Sequence, residues 1–465
     1  MKNILVIIGL LFLSPPVFSQ DITGDWYGVL KVQGVQLRLV LHITKTAPGF
    51  SSTMDSPDQG AKGIPVNETT FENNVLQFKV TAIGITYEGS LNGDSIIAGT
   101  FKQGGLIAPL DLSRKPAEIV KPKRPQEPIK PYPYYSEDIV FENKQAGIEL
   151  AGTLTLPKKN GSFPAVVLIS GSGPQNRDEE LMGHKPFLIL SDFLTRNGIA
   201  VLRFDDRGIG ASKGKFNTAT TADFATDVKA GVDYLLTRKE VDKNNVGLIG
   251  HSEGGIIAPA VASAGSNIAF IILMAGLGIP GDQLLLRQQE AILKASGASD
   301  TSITNSARIN KTVFNMVKKS ASLEQLKTDL TNFLLKSTED DNDRPVGMND
   351  SDYVRMQVAR IANPWMYYFL RYDPAPALEK VKCPVLALNG DKDLQVDSKI
   401  NLPAIQNALL KGGNKNITVK ELPGLNHLFQ ECKSGHPNEY AIIEQTISPI
   451  ALDEMLQWIN KQVKK

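Results

Sequence analysis

Hydrophobic patterning divides the chain into two regions of different character. Between residues 20 and 114, apolar and polar residues alternate in short runs such as 27–32 and 35–43, which is the period-2 pattern of half-buried strands. The dipeptide Asn92-Gly93 favours a tight hairpin turn between two of these runs. The pattern predicts a small antiparallel β domain, a barrel or a sandwich, over residues 20–114.

After residue 137 the apolar runs are nearly unbroken and alternate with helical patterns, as expected for strands buried on both faces of a mostly parallel sheet. The helix-rich segment 276–380 interrupts these runs and is predicted to be a cap above the carboxyl ends of the strands. Residues 115–136 contain six prolines and are predicted to be a stiff linker. The apolar runs are 165–170, 199–204, 246–250, 270–275 and 384–389.

Residues 1–19 have the pattern of a secretory signal peptide. Lys2 precedes a short apolar run that Pro15-Pro16 interrupts, and small residues follow. The run is too short to span a bilayer, and no cysteine follows it that could carry a lipid anchor. The sequence therefore predicts cleavage near Ser19/Gln20 and a periplasmic or secreted protein without a membrane anchor.

Composition excludes several classes of function. The chain has 50 basic and 49 acidic residues and a formal charge of +1, which argues against nucleic acid as a partner because phosphate binding requires a basic excess. Two cysteines exclude a disulfide scaffold and any all-cysteine metal site. With five histidines a His-rich metal site is not expected either, so the sequence predicts no metal. Pairing of Cys383 with Cys432 is not expected but stays open, as does the oligomeric state.

Gly250-His251-Ser252-Glu253-Gly254 lies between a predicted strand and a predicted helix. Gly-x-Ser-x-Gly in this setting is the nucleophile elbow of α/β-hydrolases, in which a strained turn presents the serine hydroxyl at a helix N-terminus. The alternative is a glycine-rich turn without chemistry. We predict Ser252 as the nucleophile.

The base and the acid follow from position along the chain. His427 lies just after the final predicted strand, where this fold places its base, and His436 is the second choice. The acid is expected after the preceding strand, where Asp393 has the usual spacing and Asp391 competes as a turn-capping residue. Chain order is then Ser252, Asp393 and His427.

An oxyanion hole requires two backbone N–H donors. One is predicted to be that of Glu253, the residue after the nucleophile. The other should come from the small-residue loop after the first core strand, where we choose Ser172, with Gly173 as the alternative.

The motifs 170–174, 203–212, 250–255, 389–393 and 424–427 resemble those of bacterial α/β-hydrolase carboxylesterases of the serine-aminopeptidase-like branch. The resemblance covers residues 137–465. It implies an α/β-hydrolase fold and ester hydrolysis by Ser252, Asp393 and His427 without cofactor. The matching Arg207 loop, with Gly208, Gly210 and Ser212, is implied to be structural.

The predicted function is therefore hydrolysis of small carboxylic esters with short to medium acyl chains through an acyl-enzyme. An aminopeptidase, an acyltransferase and a hydrolase-fold binding protein without turnover are the alternatives. The aromatic run 365–372 of the insertion is expected to influence acyl specificity, unless it only seats the insertion on the core.

Overall fold

The computed structural model describes residues 21–32, 35–59, 61–103, 106–116, 123–265, 267–337 and 349–463, so the predicted signal peptide 1–19 lies outside the described residues. The chain divides into two compact units, one formed by the N-terminal strands and one by the elements after residue 123. None of the helices in the described ranges is long and apolar enough to cross a membrane.

The N-terminal unit is one antiparallel sheet with the strand order β4-β3-β2-β1-β10-β8-β7-β6-β5 and β9 paired to β8. The Thr69 hydroxyl on β5 donates to that of Ser52 on β3 at 3.0 Å, so the two ends of the sheet approach each other. The sheet encloses its own core, which includes the fully buried Trp26, Leu76 and Ile97. Its strands β1 to β10 are Gly24–Val32, Val35–Thr46, Gly49–Ser56, Ala61–Val66, Glu68–Glu72, Val75–Val80, Ile85–Asn92, Ile96–Gln103, Leu106–Pro109 and Leu112–Ser113.

The second unit is built on an eight-stranded sheet with the order β11-β12-β14-β13-β15-β16-β17-β18. The pairs β11–β12 and β12–β14 are antiparallel and all later pairs are parallel. This mostly parallel order is that of an α/β-hydrolase, as predicted. The strands β11 to β18 are Tyr135–Asn143, Ile148–Leu156, Phe163–Ile169, Ala200–Phe204, Val241–His251, Phe270–Met274, Val385–Gly390 and Ile417–Leu422.

Helices cover both faces of this sheet, because its strands are apolar on both sides. Leu190 and Leu194 of α1 and Met455 of α11 pack on one face, and residues of α2, α3 and α10 pack on the other. Helices α4 to α9 form the insertion between β16 and β17. The helices α1 to α11 are Pro186–Arg196, Thr221–Thr237, Gly254–Ser263, Gly281–Ala295, Asp300–Lys319, Leu323–Ser337, Asp350–Ile361, Pro364–Phe369, Ala375–Leu378, Ser398–Lys411 and Pro449–Val463.

The segment that precedes β11 is attached to the second unit. The Arg124 guanidinium donates to the carbonyl oxygens of Ile443 at 2.7 Å and Ala441 at 2.9 Å. It also donates to the carbonyl oxygens of Met182 and Gly183, both at 3.1 Å. This part of the predicted linker is therefore bonded through Arg124 to two loops of the second unit, around residues 182–183 and 441–443.

Candidate active site

The elbow is formed where β15 ends and α3 begins. Ser252 has a φ of 52°, a left-handed conformation that is uncommon for serine, and its N–H donates to the Met274 carbonyl at 2.8 Å. A Cβ atom on Gly250 would lie 2.0 Å from the Gly254 carbonyl oxygen, and one on Gly254 would lie 2.2 Å from that of Ile169. Both flanking positions therefore accept only glycine.

The predicted acid and base are in direct contact. His427 Nδ1 lies 2.8 Å from Asp393 Oδ2, and both side chains are buried. The other carboxylate oxygen of Asp393 accepts the N–H groups of Gln395 at 2.7 Å and Val396 at 2.9 Å. These two hydrogen bonds fix the carboxylate so that it faces Nδ1, which leaves Nε2 of His427 available for a second partner.

Ser252 and His427 line one small pocket of about 90 Å³. Among the described residues the structure records no hydrogen bond between the serine hydroxyl and the imidazole, a contact that often tightens only when substrate is bound. The loops after β13, β17 and β18 supply most of the wall, and none of its residues belongs to the insertion. The wall consists of Gly171, Ser172, Gln175, Glu179, Leu181, His184, Pro186, His251, Gln395, Leu428 and Thr446, with Ser252 and His427.

The two competing residues, Asp391 and His436, make contacts outside the pocket. Asp391 accepts the Gly424 N–H at 2.6 Å and thus caps a turn. His436 is bonded through Nε2 to the hydroxyl of Ser296 at 2.9 Å and is not among the residues that line the pocket. The structure therefore brings Asp393 and His427 together at Ser252 and keeps the two alternatives outside.

The predicted oxyanion loop passes beside the serine. A Cβ atom on Gly171 would lie 3.2 Å from that of Ser252, and Ser172 lines the same pocket. The Gly171 N–H already donates to Glu179 Oε1 at 2.7 Å, so it is occupied. Ser172 stays our prediction for the second donor, with Gly173 as the alternative.

The Glu253 side chain accepts two hydrogen bonds from other parts of the second unit. Its Oε1 accepts the Thr221 hydroxyl at 2.6 Å and the indole N–H of Trp365 at 2.8 Å, and burial raises its pKa. Trp365 also stacks on Phe369, which packs against the core residue Ile256. The aromatic run thus seats the insertion on the elbow, and its contacts favour the packing alternative for Trp365 and Phe369.

Sequence reasoning did not single out Asp206, which lies beneath the oxyanion loop. One of its oxygens accepts the Ser170 hydroxyl at 3.0 Å and the other accepts the Gln175 N–H at 2.9 Å. Burial raises the pKa of Asp206 to about 7, and the carboxylates of Glu253 and Glu179 add to the shift. The motif that contains Asp206 has two adjacent aspartates, and the sequence does not show which of them bonds Ser170 and Gln175.

The raised pKa of Asp206 predicts a measurable pH effect on stability. Because the folded protein holds this proton more tightly than the unfolded chain, its stabilising contribution is complete below about pH 4 and is lost as the pH rises through about 7. Asp206→Asn can keep both hydrogen bonds without titrating. The variant should therefore gain stability relative to the parent, by up to about 1.4 kcal/mol per pH unit, across this window. Denaturant unfolding of both proteins at several pH values measures the difference, and a constant difference would contradict the assignment.

The Arg207 loop is held by internal contacts. The Arg207 guanidinium donates to Asp227 Oδ2 at 2.7 Å, and the Ser212 hydroxyl donates to the Asp205 carbonyl at 2.7 Å. These contacts agree with the implied structural role.

Cys383 and Cys432 are both free thiols. Within the described ranges, no group of three or more His, Cys, Asp or Glu residues could hold a metal ion.

Comparison with known families assigns the second unit. The sequence profile of the X-Pro dipeptidyl-peptidase (S15) family matches residues 146–404, more than half of the chain. The chain belongs to this family. The match includes the elbow, the insertion and Asp393 and ends before His427. This S15-family protein is therefore an enzymatic hydrolase, and the predicted resemblance to bacterial serine-hydrolase-fold esterases is confirmed.

Individual relatives of this S15-family hydrolase include esterases. Esterase EstD of Thermotoga maritima is 28% identical over 334 residues, which cover 71% of this chain and 70% of EstD. An acyl transferase of Photorhabdus luminescens is 32% identical over 123 residues, 26% of this chain and 37% of the relative. Among solved structures, Est1E from Butyrivibrio proteoclasticus with bound ferulic acid covers 70% of this chain and 100% of its own, with 19% identity and a TM-score of 0.41.

Proposed function

We propose that this hydrolase cleaves carboxylic esters through an acyl-enzyme on Ser252. The observation that carries the proposal is the contact of Asp393 with His427 Nδ1 in the pocket that Ser252 lines. When Nδ1 carries the hydrogen and donates it to the Asp393 carboxylate, Nε2 is free to act as the general base for a hydroxyl that faces it.

The proposed reaction has two halves. His427 Nε2 takes the hydroxyl proton while Ser252 Oγ attacks the ester carbonyl, and the N–H groups of Glu253 and Ser172 stabilise the oxyanion. His427 then gives the proton to the leaving alcohol as the carbon–oxygen bond breaks. Water, activated by the same imidazole, attacks the acyl-enzyme, and the acid leaves as Ser252 regains its proton. Asp393 orients the imidazole throughout.

The pocket favours a neutral ester with a short acyl group. Its volume of about 90 Å³ suits a small group. The one carboxylate among the residues that line it is Glu179, and this carboxylate is already bonded to Gly171 and His251. A substrate ammonium would therefore have to compete with these two existing contacts.

Peptide-bond cleavage is the second candidate, favoured by the match to a dipeptidyl-peptidase family. Purified protein should be compared on p-nitrophenyl esters of increasing chain length and on aminoacyl and X-Pro p-nitroanilides. We expect the highest kcat/KM on the acetyl to butyryl esters, with a decline for longer chains. A higher kcat/KM on any anilide than on every ester would contradict ester specificity.

An acyl-enzyme can also pass its acyl group to an alcohol, so the panel should include glycerol as an acceptor. We expect the free acid as the main product, and a dominant glycerol ester would instead indicate an acyltransferase. We further propose that the mature protein acts in the periplasm or outside the cell, a proposal supported by the sequence of residues 1–19 alone.

A further inference from the structure

A second histidine lies beside the proposed base. His251 directly precedes Ser252, and its ring centre is 4.9 Å from that of His427. Its Nε2 lies 3.0 Å from the His427 carbonyl oxygen, and its Nδ1 lies 2.9 Å from Glu179 Oε1. The side chain is therefore bonded to two loops while its own backbone belongs to the elbow.

Both ring nitrogens of His251 face oxygen atoms. A carbonyl oxygen only accepts, so Nε2 must carry a hydrogen to bond the His427 carbonyl. Glu179 Oε1 already accepts the Gly171 N–H, so a hydrogen on Nδ1 completes the second contact. An imidazole with hydrogen on both nitrogens is cationic, and Glu179 then supplies the balancing charge.

The Glu179 backbone is held in an unusual conformation. Its φ is 50°, in the left-handed region that glutamate rarely adopts, and its N–H donates to the Asn176 carbonyl at 2.9 Å. This turn directs the carboxylate inward, where it is buried against His251 and Gly171. Strained backbone of this kind is concentrated where function requires a particular geometry.

We propose that His251 and Glu179 form a buried ion pair that positions the oxyanion loop, through Gly171, and the base loop, through the His427 carbonyl, around Ser252. Both are positioning residues and neither touches the reacting atoms. The proposal deepens the proposed ester hydrolysis and rests on it.

The groups around His251 support its cationic form. Burial opposes protonation, but the adjacent Glu179 carboxylate and the bond to the His427 carbonyl raise the pKa of His251 above its ordinary value. The titratable groups that face it are Glu179 after β13, Asp393 after β17 and His427 after β18. His184 in the same pocket differs, because burial lowers its pKa to about 4 and its ring nitrogens face the Thr446 hydroxyl and the Tyr440 carbonyl oxygen.

The first test needs no substrate. Nitrogen NMR of the full-length protein with ¹⁵N-labelled histidine should show both His251 nitrogens protonated at pH 7, assigned by the loss of these signals in His251→Asn. His184 is the internal control and should show one protonated nitrogen. A neutral His251 at pH 7 would overturn the proposal whether or not the protein is an esterase, so this failure is distinguishable from failure of the proposed function.

The second test separates positioning from packing. Glu179→Gln keeps an acceptor oxygen for Gly171 and His251 but removes the charge. We expect kcat to fall by up to about 100-fold with little change in KM, because small misplacements of catalytic groups are costly. In the plot of kcat against pH, the alkaline limb should move to lower pH. His251 loses its proton more readily when the Glu179 carboxylate is absent.

The exposed neighbour Glu180 provides the matched control, and Glu180→Gln should leave both the rate and the pH profile unchanged. Thermal melts confirm that each variant is folded. An unshifted alkaline limb in folded Glu179→Gln would show that the charge has no role and would overturn the proposal.

Discussion

Ser252→Ala is expected to reduce ester turnover by about 10⁶-fold, the loss seen when the nucleophile of a serine hydrolase triad is removed. The hydroxyl lies at the elbow and its proposed role is chemical, while the turn itself is held by the Ser252 N–H bond to Met274 and by the two flanking glycines. The midpoint of thermal unfolding should therefore hardly change.

The control is Ser263→Ala at the end of α3, the helix that follows Ser252, because that hydroxyl donates to the Ala260 carbonyl within its own turn. Activity should be measured on a p-nitrophenyl ester with active-site titration, so that traces of parent enzyme are not counted as residual turnover. If Ser252→Ala retained more than a small fraction of parent activity, Ser252 would not be the nucleophile.

Asp393→Asn is expected to lower turnover by about 10⁴-fold, because an amide N–H facing Nδ1 would hold the imidazole in the wrong tautomer. The two backbone bonds from Gln395 and Val396 restrict the oxygen of the new amide to their side, which directs its nitrogen toward His427.

Asp391→Asn is the matched comparison, two residues away in the same loop. Its oxygen can still accept the Gly424 N–H, so activity should be nearly unchanged. Rates and unfolding midpoints of both variants should be measured together. The reverse order of activities would transfer the role of the acid to Asp391.

The sequence predicted the main features of the hydrolase unit because its signals are local. The apolar runs around 165–170 and 246–250 correspond to β13 and β15, and Gly-x-Ser-x-Gly between a strand and a helix indicates a tight turn. The order Ser252, Asp393 and His427 follows from strand order alone. These features depend on short stretches of chain whose patterns leave few alternatives.

Long-range contacts between polar side chains were not predictable in the same way. Glu179 and His251 are 72 residues apart, and no local pattern around either residue indicates that their side chains meet. The contact exists because the loop after β13 turns back at Glu179, which has a left-handed backbone conformation. Glutamate rarely adopts this conformation, so the sequence does not indicate the turn. The bond of Trp365 to Glu253, across 112 residues, depends equally on how the insertion folds back.

The close approach of Gly254 to the Ile169 carbonyl limits which substitutions the site tolerates. Ile169 ends the strand that leads into the oxyanion loop, and Gly254 begins the helix behind the nucleophile, so main-chain atoms set the spacing between the two. Exchange of apolar side chains elsewhere in the core alters packing but leaves this spacing intact. The spacing between the oxyanion loop and the nucleophile therefore tolerates changes in core composition but not a side chain at Gly254.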